Sequence, residues 1–535
     1  MDYREISILV CSYNTPLHVI TMLKSFVAIH GEGTFNIIIM ENSTNDDTRK
    51  LLDENNIPYI KNPGGTHSKS IDEMILTCNT KYALLVDSDI IFTQKIDKLL
   101  DVMQKNNGTL MGEICGDRGG YRLHSRIQPW FCLINVDNIK KSRIRFHDED
   151  RINKSGSHYF YQAVPLNPNV NNPIPFYDVG ATFYEDIDKQ KLNIIDAKGI
   201  IKYYKHFEGS SWQRASEHPE YIDHGNKVYI QFCIEAEKYK AVNIKEKFID
   251  GRNIEIENIK VLLIQPIFCP TQEFLEINKK SILSILNYFK NNIFRNIKLV
   301  FGGYCKTNQF WKEIEETINN NKPAYCPVII HRADKNYGKA HIVNTMFKEC
   351  HTDEKYLFTM DSDIIFDPTE FNMLRRLITT ITTANKNSGK TLGMLALNQK
   401  VECCHWHNMM DVKTVINGEI LQRSSQNVGI AGGCLFITIN AFKKVNGYRV
   451  MGIYAGDDGF LLHDLIVNDY PVFVITTIGV IHNFNEKVYN GNYQRWKESN
   501  LKKCLDVMGK PLSDQELIVA TKDVENKWNT GFKDV

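Results

Sequence analysis

No run of residues in this chain is long and apolar enough to suggest a membrane-spanning helix. The longest apolar-rich stretch, around Pro471 to Ile481, is broken by two threonines and falls short of the roughly 20 residues a span needs. Charge of one sign is not in excess either. Lys and Arg number 64 and Asp and Glu 63, a formal net charge of +1, so no global field draws nucleic acid or an anionic surface. The 13 cysteines are scattered without regular spacing, which argues against a disulfide framework. MDYREISILV runs directly into a strand-like segment with no leader pattern, and we expect reduced thiols and a cytoplasmic location. GxxxxGK[ST], HExxH and a nucleophile elbow are all missing, which excludes the commonest NTPase, zincin and serine-hydrolase signatures. The cluster Cys403, Cys404, His405 and His407 is too tightly packed along the chain for all its members to converge on one zinc ion, so we read these as packing or loop residues.

What the sequence does contain is a repeat. DSDIIF stands at Asp87–Phe92 and again, identically, at Asp361–Phe366. KYALLV precedes the first copy and KYLFTM the second. Before those come NPGGTHSKSIDEMILTC and NYGKAHIVNTMFKEC, each a glycine loop running into a helix pattern. Asn62 and Asn336 are 274 residues apart, the same offset as the acidic motifs. Each half opens on a buried-type strand, ISILVCSYN and IKVLLIQPIF. A period of this size means a duplicated domain rather than a solenoid. Strand-like and amphipathic segments alternate, which predicts α/β units with a mainly parallel central sheet. The polar stretch 245–258 divides the chain, giving domains 1–250 and 251–505 and a helical tail 506–535.

Ligands of such sheets bind at the carboxyl ends of strands, where DSD falls in both halves. Two carboxylates one residue apart can face the same way. Asp87 with Asp89, and Asp361 with Asp363, could each share a hard divalent cation, Mn²⁺ or Mg²⁺. The ion would neutralise charge developing on a diphosphate leaving group.

These motifs resemble those of family 2 glycosyltransferases, whose domains have the GT-A nucleotide-diphospho-sugar transferase fold. The resemblance rests on strand ends at Ser12-Tyr13-Asn14 and Glu41-Asn42-Ser43, the glycine loop and DSD, and it spans about residues 5–212 and 259–485. The tandem layout is similar to that of bifunctional bacterial polymerases of the chondroitin synthase type. Membership implies that DSD holds metal and donor through Asp87, Ser88 and Asp89, and through Asp361, Ser362 and Asp363. A late histidine completing the metal set falls on His206 and His482. The acceptor base falls on Asp458, with Asp457 as the near alternative, and on Asp178 in the first half. There, YDVG departs from the usual acidic pair. Ser12, Tyr13, Asn14 and Glu41 would line the donor site. The second half has Gly302-Gly303 where the first has Glu41, so Asp334 or Lys339 is the substitute, Lys339 as a point charge for phosphate. Trp130 and Trp212 could stack on a sugar or pack in the core.

The implied activity is bifunctional, inverting transfer of a sugar, with a UDP-sugar the expected donor, to a hydroxyl acceptor on a glycan or other molecule. The alternatives are one catalytic half beside a pseudoenzyme, or a nucleotidyltransferase or non-catalytic carbohydrate binder. A modified nucleic-acid base is not excluded as acceptor.

Overall fold

Strand β1, Ile6–Ser12, shows why the first sheet is buried on both faces. Side chains alternate along a strand, and here Ile6, Ile8 and Val10 enter one apolar layer while Leu9 enters the other. Strand β2, Phe35–Glu41, repeats the pattern, with Ile37 and Ile39 on one side and Ile38 and Met40 on the other. Near-continuous apolar strands of this kind suit parallel sheets covered by helices on both faces. Helix Pro16–His30 supplies Val19, Met22, Leu23 and Phe26 to one layer, and helix His67–Thr77 supplies Ile71, Met74 and Ile75 to the other.

The computed structural model describes residues 3–31, 33–116, 123–154, 177–210, 219–368, 370, 372–399, 413–423, 433–453, 457–483, 491–506 and 510–530. Cys403, Cys404, His405, His407 and Trp212 lie outside them. The chain forms two compact units, Met1–Ile254 and Glu255–Val535. Among the described residues, no helix is long and apolar enough to cross a membrane.

In the first unit the further strands are β3 (Ile60–Lys61), β4 (Tyr82–Asp87), β5 (Ile90–Phe92), β6 (Leu110–Gly112), β7 (Phe131–Asn135), β8 (Ile194–Asp196), β9 (Tyr204–His206) and β10 (Phe248–Asp250), beside a separate two-stranded ribbon of Ile114–Cys115 and Arg126–Ile127. The main sheet runs β8-β6-β7-β4-β1-β2-β10, with β3 beside β2. All its neighbours are parallel except β7, which is antiparallel to β4 and β6.

In the second unit the strands are β11 (Val261–Cys269), β12 (Ile297–Cys305), β13 (Val328–Arg332), β14 (Tyr356–Met360), β15 (Ile364–Phe366), β16 (Met394–Gln399), β17 (Lys413–Ile416), β18 (Glu419–Arg423), β19 (Cys434–Thr438) and β20 (Val472–His482). Their order is β13-β12-β11-β14-β19-β16-β20-β18-β17, with β15 also paired to β20. The run β12-β11-β14-β19-β16-β20 reproduces β2-β1-β4-β7-β6-β8, including the single antiparallel insertion, β19 between β14 and β16. Both units are therefore mixed α/β domains with large sheets, parallel through the shared strand order except at that one strand, and the repeat seen in the sequence is a repeat of topology.

Candidate active site

In the first unit β4 delivers Asp87 to the carboxyl edge of the sheet, where its N–H donates to Trp130 O at 3.1 Å. The chain turns through Ser88 and Asp89 and continues as β5. Strand β9 returns antiparallel to β5 with His206 opposite Ile90, and Phe207 N donates to Asp89 O at 3.1 Å. This places His206 Nε2 3.3 Å from Asp89 Oδ1. One ligand atom from each of Asp87, Asp89 and His206 lies within 4.8 Å of the others. Burial alone would lower the His206 ring, but Asp89 and Asp87 outweigh it and hold the ring above the ordinary imidazole value. Burial raises the Asp89 carboxyl, with His206 opposing. Two carboxylates and an imidazole suit a divalent ion such as Mn²⁺. Ser210 adds a hydroxyl 3.3 Å from Asp89 Oδ2.

The second unit repeats this local geometry. Asp361 N donates to Gly433 O at 2.8 Å, and Asn483 N donates to Asp363 O at 2.8 Å. His482 stands opposite Ile364, with Nε2 3.2 Å from Asp363 Oδ2. Burial acts to lower the His482 ring, and Asp363 and Asp361 raise it above its ordinary value.

A lysine contact distinguishes the second site from the first. Lys339 Nζ lies 2.7 Å from Asp361 Oδ1 and 2.8 Å from Asp458 Oδ1. Burial works against its charge, but Asp361 and then Asp458 outweigh this and hold the ammonium well above the usual lysine range. Asp458 sits in the first turn of helix Asp457–Val467. Burial raises its carboxyl, and Lys339 opposes this. Asp457 is turned instead towards the backbone N–H of Ala340, and its carboxyl is pushed up to about 7 by burial and then by Asp458. Of the two aspartates, Asp458 is the one that shares a cation with the acidic motif.

Asp178, the corresponding residue of the first unit, precedes helix Ala181–Lys189 and accepts from Ala181 N through its carbonyl at 3.0 Å. Its Oδ1 accepts from Val179 N at 2.8 Å, and its Oδ2 is ion-paired with the buried guanidinium of Arg126. Nothing in the motif pattern marked Arg126 as this partner.

The donor-side residues are placed as follows. Ser12 is buried in a hydroxyl chain, 3.2 Å from Thr15, which is 3.2 Å from Ser88. Tyr13 is exposed, and Asn14, at φ 52°, donates its N–H to Ser43 Oγ at 2.7 Å. Glu41 is fully buried, accepting from Ser43 N at 3.0 Å and Arg49 Nη1 at 2.5 Å, so its carboxylate holds a turn rather than opening towards a ribose. Asp334 is exposed and accepts from Tyr337 OH at 3.1 Å, whereas Lys339 reaches the motif. Ser362 occupies the turn position of Ser88. The register explains the missing acid. Ser12 pairs with Glu41, and Gly303 pairs with Ile267. A Cβ on Gly303 would lie 2.1 Å from Ile267 O, and one on Gly302 2.6 Å from His331 O. The Trp130 ring lies on His206, centroids 5.2 Å apart, and its Nε1 donates to Tyr204 OH at 3.2 Å, so it backs the histidine.

A strand-end cluster of two carboxylates and an imidazole, on a mainly parallel sheet, defines the class of site: one fitted to a divalent cation. Residues 7–163 match the family model described as glycosyl transferase family 2. No curated protein matches the chain significantly. Among solved structures, the mannosyltransferase PcManGT from Pyrobaculum calidifontis, in complex with GDP-Man and Mn²⁺, is similar at 10% identity and a TM-score of 0.32, over 45% of this chain and 62% of that one. S. aureus TarS is similar at 13% identity and a TM-score of 0.32, over 51% of this chain and 43% of that one. The chain thus spans less than two thirds of either structure, and likenesses of this size carry no functional argument.

Proposed function

We propose that this protein is a metal-dependent glycosyltransferase, each unit moving a sugar from a nucleotide-diphosphate donor, a UDP-sugar in the first instance, to a hydroxyl acceptor. The observation that carries the reading is the convergence of Asp87, Asp89 and His206 within 4.8 Å, in a unit whose residues 7–163 match the family model. Those three residues would hold Mn²⁺ or Mg²⁺ in the first unit, and Asp361, Asp363 and His482 in the second. When bound, the ion supplies Lewis-acid stabilisation of the diphosphate leaving group. Trp130 and the β5–β9 pairing fix the His206 ring. Asp178 and Asp458 are the residues we assign to accept the proton of the acceptor hydroxyl, at helix starts that hold each carboxylate in place. Attack from the side opposite the leaving group inverts the anomeric carbon.

The test is transfer and donor hydrolysis across a panel of nucleotide sugars with Mn²⁺, for the intact chain and for Asp89→Asn and Asp363→Asn separately. Each change should abolish one transfer. If either leaves every transfer intact, that unit is not catalytic. If the intact chain neither transfers nor hydrolyses any donor, the transferase reading fails.

A further inference from the structure

The two acidic motifs share backbone register and a histidine, yet they differ in the charge already present. Gly64, in the turn before helix His67–Thr77, and Gly338, the first residue of helix Gly338–Cys350, both adopt left-handed backbone, φ 71° and 78°. The next residue is Gly65 in the first unit and Lys339 in the second. In the first unit that position carries no side chain, and the group near Asp87 Oδ1 is His67 Nε2, at 3.6 Å. Arg126 there pairs with Asp178, and the trio Asp87, Asp89 and His206 stays grouped as a ligand set. In the second unit Lys339 spans Asp361 and Asp458 at 2.7 and 2.8 Å. Among the described residues, the second motif does not form a comparable three-ligand group.

We propose that Lys339 is an internal counter-ion standing in the cation place of the second acidic motif. The second unit then takes its divalent ion weakly until an anionic diphosphate draws the ammonium away, whereas the first takes its ion unaided. This rests on the metal-dependent reading above. The physical basis is competition. A divalent ion brought to Asp361 while Lys339 remains would crowd three positive charges around one carboxylate, at separations where the protein interior screens weakly. A diphosphate offers the ammonium another anion, and lysine suits that exchange because it is a point charge on a flexible stem. Linkage makes the effect reciprocal: whatever Lys339 costs the ion, the ion costs Lys339.

The experiment silences the first site with Asp87→Asn/Asp89→Asn and follows Mn²⁺ uptake by electron paramagnetic resonance without phosphate or nucleotide. Lys339→Met should tighten uptake at the second site by about tenfold or more, and Lys339→Arg should not. Unchanged or weaker uptake by a folded Lys339→Met protein overturns the proposal. Should Lys339→Met not fold, trace acetylation of the silenced protein with its lysine intact decides. Mn²⁺ alone, at concentrations that fill the second site, should raise labelling of Lys339. Unchanged or reduced labelling there overturns the proposal. The otherwise unaltered chain separates the two failures. If its first site takes up Mn²⁺ and the second ignores the Lys339 change, only this inference fails. If neither site takes up Mn²⁺ in any variant, the metal-dependent reading itself fails.

Discussion

His482 Nε2 lies 3.2 Å from Asp363 Oδ2, and His206 and Asp89 reproduce that pairing at 3.3 Å. Each histidine arrives on a strand antiparallel to the one after DSD and stands opposite the first isoleucine of that strand. His206→Ala should therefore weaken Mn²⁺ binding at the first site by roughly tenfold or more while leaving the second site unchanged. Counting bound Mn²⁺ by electron paramagnetic resonance checks this. Equal affinity in the variant and the parent would remove His206 from the ligand set.

Glu41 and Arg49 form a buried ion pair, with side-chain exposures of 0% and 8%. Removing one partner of such a pair leaves an uncompensated charge and costs about 3–5 kcal/mol. Arg49→Met should destabilise the first unit by that order, and Glu41→Leu/Arg49→Met together by less. Urea unfolding of the single and double variants gives the comparison.

His30 is held neutral by geometry. Its Nδ1 donates to Phe26 O at 2.9 Å, and its Nε2 accepts from Ile96 N at 3.1 Å. Burial lowers its pKa from 6.5 to about 4. Between those values the unfolded chain binds more protons than the folded one, so stability is full above pH 6.5 and falls as pH drops towards 4. The loss amounts to about 3 kcal/mol at most. Thermal unfolding of the first unit should show this slope, and His30→Gln should flatten it.

Gly303→Ala should destabilise the second unit by about 1–3 kcal/mol or more, because its Cβ would lie 2.1 Å from Ile267 O in a strand pair that has no slack. Denaturant midpoints for the second unit test it. An unchanged midpoint would mean that β11 and β12 can separate locally.

The legible part of the molecule was the part written in short-range pattern. The duplicated DSDIIF, its preceding strand and its glycine loop revealed a repeated α/β architecture because strand alternation and helix periodicity are local, whereas the strand order was not written there. The absence of an acid at Gly302-Gly303 was visible too, although its cause, the backbone of Ile267 and His331 pressed against those glycines, was not. Ion-pair partners were hidden. Arg126 is 52 residues from Asp178, and Lys339 is 119 from Asp458. A sequence holds no signal for contacts of that separation unless a motif names them. Lys339 was expected to meet phosphate, and the structure pairs it with two carboxylates. Glu41 looked available to a ligand because nothing in its strand announced that Arg49 would cover it.

The backbone bonds from Phe207 to Asp89 and from Asn483 to Asp363 tie each histidine to its motif through main-chain atoms. Every residue but proline offers a main-chain N–H, so the tie does not depend on which side chain follows either histidine. Any residue other than proline in place of Phe207 or Asn483 should therefore preserve it.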